Sequence, residues 1–323
     1  MKRLARVALA ALALGLVGPA TAEAQTYPNR PVRMIVPFPP GGATDIIARL
    51  VSDKLTEMWG QTVLVDYKPG AGTIVGTDVV AKAPADGYTM GMVITAHVLN
   101  PSLRKTMPYD TLKDLAGISL VAVSHIVITA TNALPANNIK ELVEYAKANP
   151  GKLNYASPGA GTAMHLTGEL LNTMAGIKIV HVPYRGGAAA YPDVISGRIE
   201  LQIDPIQASM QNIESKQVKA LAIASPQRSP SSPGIPTVAE TLPGFTVMSI
   251  SGLVVPAATP RDIVRKIHAD VRKALDVPEL KTRMGGLGMD AAASASPEEF
   301  DNFIRGEIAK WAEVVKSSGM ELD

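Results

Sequence analysis

The chain contains no cysteine. That excludes a disulfide framework, a thiolate metal site and the lipidated cysteine that tethers exported lipoproteins. Aromatic residues make up only 4% of the sequence against 46% hydrophobic residues overall, so the cores must be built mainly from Ala, Val, Leu and Ile. Apolar stretches long enough to span a bilayer, roughly 20 residues, are also missing. An excess of one charge sign is absent as well, once the first 24 residues are set aside. Removing three of the 31 Lys and Arg and one of the 29 Asp and Glu leaves 28 of each. No dense basic cluster with interleaved aromatics remains, which argues against nucleic acid or an anionic membrane as partner.

Several chemical signatures are missing too. The five histidines, His97, His125, His165, His181 and His268, form no HExxH pair and no ligand set at helical spacing, so neither metal nor cofactor is expected. There is no GxxxxGK[ST] phosphate loop and no GxSxG elbow. Gly70-Ala71-Gly72 and Gly159-Ala160-Gly161 open like a dinucleotide fingerprint, but Val75 and Met164 stand where the third glycine is needed. A hydrolase could use Ser157 as nucleophile with His165 as base, a reading that the missing elbow disfavours. The chain is therefore expected not to be an enzyme.

What is present begins with an export signal. Lys2, Arg3 and Arg6 precede an apolar run from Val7 to Val17 and the small-x-small site Ala22-Glu23-Ala24, which predicts cleavage after Ala24 and a periplasmic location. The 299 residues that follow suffice for two domains of about 150 residues each.

Short β-branched runs then alternate with helical patterns. Val32 to Val36 reads as strand, and Asp45 to Trp59 as helix, with Ile46, Ile47, Leu50, Val51, Leu55 and Met58 at the helical period. The alternation continues through strands at 63–66, 89–95, 153–156, 179–182 and 199–203 and helices at 72–83, 139–148 and 162–174. This βαβαβ order, repeated, predicts an α/β class with parallel sheets covered by helices. Two long apolar runs, near 120–130 and 247–255, are candidate hinge crossings. They divide the chain into domain I, 25–125 and 248–323, and domain II, 126–247. Two C-terminal helices, opened by Pro260-Arg261-Asp262 and Pro297-Glu298-Glu299, return the chain to domain I.

In such sheets ligands sit beyond the carboxyl ends of the strands. The residues found there are Phe38 to Asp45, Thr95-Ala96-His97, Ser157 to Thr162, Pro183 to Gly187 and Asp204-Pro205-Ile206. The turns Pro39-Pro40-Gly41-Gly42-Ala43-Thr44 and Ser157-Pro158-Gly159-Ala160-Gly161-Thr162 each lead into a helix start, as does Pro69-Gly70-Ala71-Gly72-Thr73. Such turns present unpaired backbone N–H groups and seat an anion without a charged side chain. Two of them facing across a cleft would clamp a small carboxylate.

Tyr27-Pro28-Asn29-Arg30-Pro31-Val32-Arg33, Pro39 to Asp45, Pro69-Gly70-Ala71-Gly72, Ala85-Asp86-Gly87-Tyr88-Thr89, Val182 to Gly187, Ile235 to Glu240 and Leu242-Pro243-Gly244-Phe245 together resemble the Bug family. These are extracytoplasmic solute receptors of tripartite tricarboxylate transporters. The resemblance implies a type II periplasmic binding protein fold, two α/β domains that close on a ligand, and membrane permease subunits as partners. It implies carboxylate binding by the two proline-glycine loops. Gly41, Gly42, Ala43 and Thr44 would hold one end of the ligand and Ser157, Gly159, Gly161 and Thr162 the other. Phe38, Pro39 and Pro40 would form an apolar wall, Asp45 would cap its helix, and Thr95, Ala96, His97, His165, Tyr184, Arg185 and Asp204 would fill the sides. The sequence departs from the family pattern at Arg185, commonly lysine, and at Ser249-Ile250-Ser251, where an aromatic residue is usual. Small residues there leave room for a bulkier acid. A sensory module docking on a membrane kinase is the alternative reading.

Overall fold

The computed structural model describes residues 27–41, 43–184, 186–229, 232–286 and 288–318. The predicted signal segment and its cleavage site lie outside these residues, as do Gly42 and Arg185.

The elements follow in the order β1 (Val32–Val36), α1 (Ala43–Trp59), β2 (Val63–Tyr67), α2 (Ile74–Ala81), β3 (Thr89–Ile94), α3 (Ala96–Leu103) and β4 (Leu115–Thr131). Next come α4 (Ile139–Ala148), β5 (Asn154–Ser157), α5 (Ala163–Ala175), β6 (Val180–Pro183), α6 (Tyr191–Ile195), β7 (Leu201–Pro205), α7 (Ile206–Glu214) and β8 (Val218–Ile223). The chain ends with β9 (Met248–Pro256), α8 (Arg261–Leu275), α9 (Pro278–Gly286), β10 (Met289–Ala291) and α10 (Pro297–Ser318). This is the α/β, type II periplasmic binding protein architecture, with one β-sheet half on each side of a shared strand.

Within each half the expected parallel βαβ units are present. β1 pairs with β2 and β3 in parallel, and β5 pairs with β6 and β7 in parallel. The remaining strands add antiparallel pairs, which local periodicity does not report. β9 lies between β3 and β4, while β7 and β8 flank the second part of β4. β4 belongs to both halves. Its residues up to His125 pair with β9, and from Ile126 onward it pairs with β7 and β8. The return crossing is made just ahead of β9, where the Val247 N–H donates to the Ala224 carbonyl at 2.8 Å before Met248 pairs with His125.

The helices sit where their apolar stripes direct them. Ile47, Leu50, Val51 and Leu55 of α1 and Val264, Ile267, Val271 and Leu275 of α8 are buried in one cluster with β1 and β3. Asn138 caps α4 by accepting the Glu141 N–H at 2.9 Å, and the Thr162 hydroxyl caps α5 by accepting the His165 N–H at 3.2 Å. The helix expected over 72–83 is shorter, because Ala71, Gly72 and Thr73 take φ of 45°, 61° and 82°, outside the helical region. The C-terminal helix α10 packs on α3 and β4 in the first half and on α5 in the second. Its Lys310 ammonium also donates to the Thr246 carbonyl at 3.0 Å. Among the described residues no helix is long and apolar enough to cross a membrane.

Candidate functional site

A pocket of about 190 Å³ opens where the two sheet halves meet. Thr44 and Ile47 line it from the first turns of α1, and Ile94 from the end of β3. Ser124 of β4 and Ser249, Ile250 and Ser251 of β9 form its floor, while Pro205 and Gln207 enter from the start of α7 and Met289 from β10. None of these side chains is charged. The pocket therefore lies at the N-terminal ends of α1 and α7, and next to that of α3, which begins two residues after Ile94. Helix N-termini carry partial positive charge and unpaired N–H groups, so the pocket favours an anion without a lysine or arginine.

The first loop is held by its own hydrogen bonds. The Gly41 N–H donates to Asp45 Oδ2 at 2.8 Å, and Asp45 Oδ1 accepts from the Tyr67 hydroxyl at 2.6 Å and from Arg49 Nε at 2.9 Å. Burial alone would raise the Asp45 carboxyl, but these hydrogen bonds and the Arg49 charge outweigh it and hold the pKa below the usual range. Asp45 thus ties the loop to its helix and partly compensates the α1 terminus. Phe38 is half-buried, Pro39 and Pro40 are exposed, and Ala43 begins α1.

The second loop is equally engaged. Ser157 Oγ lies 2.7 Å from His181 Nε2 and 3.2 Å from the Gly159 N–H that it accepts, while the Gly161 N–H donates to His165 Nδ1 at 3.1 Å. The Thr162 hydroxyl donates to the Gly159 carbonyl at 2.8 Å. His165 and His181 stack with ring centroids 3.8 Å apart. Both histidines are lowered to about 4, His165 by burial and His181 by burial together with the neighbouring His165. The Ser157–His165 pairing of the disfavoured hydrolase reading is not formed. Ser157 faces His181 from the neighbouring strand, because β5 and β6 run in parallel register with Tyr155 beside His181. His165 instead accepts a loop amide.

Ser157, Gly159, Gly161, Thr162, His165 and Tyr184 do not line the 190 Å³ pocket, and neither do Phe38, Pro40, Gly41, Ala96 or His97. The Thr95 hydroxyl accepts the Ile250 N–H at 2.9 Å and so fastens β9 beside the pocket. His97 turns inward. It is 2% exposed, lines a crevice of about 10 Å³ with Leu115, Val254 and Asp301, and among the described residues has no hydrogen-bond partner on either ring nitrogen. Its burial lowers the pKa to about 4. The Tyr184 hydroxyl donates to Asp193 Oδ2 at 2.6 Å.

Asp204, 1% exposed, accepts from Gln202 Nε2 at 3.0 Å and lies under the 186–187 turn. Burial pushes its carboxyl up to about 7, against the pull of that hydrogen bond. A Cβ at Gly187 would stand 2.0 Å from Asp204 Oδ2, so only glycine fits. Gly187→Ala is expected to cost about 1–3 kcal/mol through overpacking, seen as a lower melting temperature with the fold retained by circular dichroism.

Sequence reasoning passed over Ile47, Ile94, Ser124, Gln207 and Met289 as site residues. Gln207 lies three residues beyond Asp204 on the same strand-to-helix connection, so extending the strand-end rule into the first helical turn finds it. Ser124 lies inside a long strand with no local mark. Among the described residues no group of three His, Cys, Asp or Glu is arranged to hold a metal ion.

The family model described as "Tripartite tricarboxylate transporter family receptor" matches residues 47–320. The chain belongs to this receptor family. The receptor is 38% identical to a protein encoded in the tcbD-tcbE intergenic region of Pseudomonas sp. (strain P51), over 96% of this chain and 93% of the relative. It is 34% identical to Protein BugT of Bordetella pertussis, over 95% and 94%. Three solved structures are similar. Rpa4515 of R. palustris with adipate aligns with a TM-score of 0.73 at 32% identity, covering 91% of this chain and 99% of that one. MatC of Rhodopseudomonas palustris with bound malate gives 0.69 at 30%, covering 90% and 100%. A TctC solute-binding protein from Polaromonas with no ligand gives 0.83 at 26%, covering 90% and 100%. The family consists of periplasmic solute-binding receptors rather than enzymes.

Proposed function

We propose that the receptor captures a small organic acid in the pocket between its sheet halves, closes over it, and delivers it to the membrane subunits of a tripartite tricarboxylate transporter. The observation that carries this reading is an uncharged pocket set at the N-terminal ends of helices from both halves. The carboxylates bound by two similar receptors, adipate and malate, agree with it. Export with cleavage after Ala24 places the protein in the periplasm. The exchange of β4 partners between His125 and Ile126 supports domain boundaries at 125/126 and 247/248. The sensory alternative finds no support in the comparisons.

Closure brings the second loop into play. The chain aligns more closely with the unliganded relative than with the two liganded ones, despite its lower identity to it, which supports a hinge motion on binding. On closure, Ser157, Gly159, Gly161, Thr162 and Tyr184 approach the ligand from domain II, opposite Phe38, Pro40, Gly41, Gly42, Ala43 and Thr44. A carboxylate then takes the Gly159 and Gly161 amides from Ser157 and His165, because charge-assisted hydrogen bonds are about twice as strong as neutral ones. Arg185 borders the same loop in sequence, and Asp204 supports it from below.

A thermal-shift screen of the mature protein against carboxylic acids tests the proposal. A true ligand at 100 times its Kd stabilises by about 2.7 kcal/mol. Thr44→Pro, which removes one amide and one hydroxyl, is expected to weaken the best acid at least ~10-fold, the loss of about one charge-assisted hydrogen bond. A panel without a single stabilising acid, or a Thr44→Pro protein with undiminished affinity, would count against it.

A further inference from the structure

We infer that the crevice beside His97 binds one internal water molecule, which joins the first turn of α3 to the bracing helix α10 through hydrogen bonds to His97, Thr111 and Asp301. The crevice shares no lining residue with the solute pocket, so this site does not depend on the carboxylate reading.

Several elements wall this crevice. His97 comes from the first turn of α3, Thr111 from the turn ahead of β4, Gly117 from β4, Val254 from β9, and Asp301 and Arg305 from α10. Polar atoms are left over among them. Both ring nitrogens of His97 and the Thr111 hydroxyl are buried with no hydrogen-bond partner among the described residues, in residues only 2% and 6% exposed. Each such atom carries its full desolvation penalty, and buried polar groups without a protein partner are ordinarily satisfied by an ordered water. The groups are not placed to satisfy one another by swinging aside. The turn that carries Thr111 is fixed, since Asp110 Oδ1 accepts the Leu112 N–H at 3.0 Å and the Asp110 carbonyl accepts the Asp114 N–H at 2.9 Å. His97 follows Thr95, whose hydroxyl is fastened to β9.

Size and chemistry together select the guest. An opening of about 10 Å³ has room for a single water and nothing larger. Burial keeps the His97 ring neutral near pH 7, so one of its nitrogens donates and the other accepts. The Thr111 hydroxyl can do either, and the Asp301 carboxylate, whose Oδ1 takes the Gly117 N–H at 2.7 Å, has acceptor positions to spare. Water donates and accepts, as this set demands. A monatomic ion does not, and it meets opposite charges on Asp301 and Arg305. The site also has a way in. Thr111 and Leu112 line both the crevice and an open pocket of about 320 Å³ on its outer side, through which the water exchanges with solvent. Once bound, it links the helix that begins beside the solute pocket to the helix that touches both halves.

A high-resolution crystal structure of the mature full-length protein is the direct test. It is expected to show one density peak in the crevice, within roughly 3.2 Å of a His97 ring nitrogen and of the Thr111 hydroxyl. Thermal melting of two variants gives a second readout, whose sign separates a wet crevice from a dry one. His97→Leu removes both ring nitrogens at similar volume, and Thr111→Val replaces the hydroxyl by a methyl group of the same shape. With water bound, each change deprives it of a partner and should lower the melting temperature by about 2–4 °C. In a dry crevice each change deletes a buried unsatisfied group and should raise it. The density peak with both variants melting lower supports the site. A crevice empty of density, or a rise in melting temperature in both variants, would overturn it while leaving the receptor function intact.

Discussion

Trp311→Ala is expected to lower the stability of the receptor by about 3–5 kcal/mol, the range for emptying a buried tryptophan site. Trp311 is fully buried, its indole N–H donates to Glu307 Oε2 at 2.9 Å, and it belongs to a cluster that also contains Leu99 of the first half and Leu170 of the second. The loss is therefore felt by both halves at once. At about 2 °C per kcal/mol for a chain of this length, the melting temperature falls by about 6–10 °C. A drop below about 2 °C would show that α10 is not a principal brace between the halves.

Asp204→Asn has an effect whose size depends on pH. Because burial raises the Asp204 carboxyl from 3.8 to about 7, the folded protein holds a proton that the unfolded chain has already released. Stability from this group is full below pH 4 and is lost as the pH rises through 7. The displacement sets a ceiling of roughly 4 kcal/mol on the loss. His97, His165 and His181, all lowered to about 4, act in the opposite direction, their contribution being lost as the pH falls from 6.5 through 4. The comparison between variant and parent cancels them. Melting curves at pH 4.5 and pH 8 should show the Asp204→Asn variant gaining stability over the parent at the higher pH alone. An equal difference at both values would mean that the Asp204 carboxyl does not titrate in this window.

Much of this molecule was legible residue by residue. The Ile47, Leu50, Val51 and Leu55 spacing marks α1 because a half-buried helix must repeat its apolar face every 3.6 residues, and the βαβ order of each half follows from the same rule. The Pro-Gly turn ahead of α1 and the Thr162 cap are equally local. The antiparallel pairing of β8 and β9 and the full length of β4 were not, since partners as distant in sequence as Gly91 and Val254 leave no periodic trace. The same holds for the pocket. Thr44 could be found from its turn, but Ser124, Gln207 and Met289 come from three separate elements, and small polar residues on strands carry no signature of what they face. His97 shows the converse. Its position directly after β3 is right for a ligand contact, yet which way a ring turns at the start of a helix depends on the helix packed behind it, here α10.

The chain has two tryptophans, and their settings differ in a way that suits spectroscopy. Trp59 is anchored within the first half, its indole N–H bonded to Asp270 at 2.7 Å and its ring edge-on to Tyr27. Trp311 sits on the helix that touches both halves, with the Lys310 ammonium 4.7 Å from its ring centroid. Emission from the first is a fixed background, whereas emission from the second reports the seam. A solute titration followed by intrinsic fluorescence should therefore read hinge movement directly, without a label, and Trp59→Phe would sharpen the signal rather than remove it.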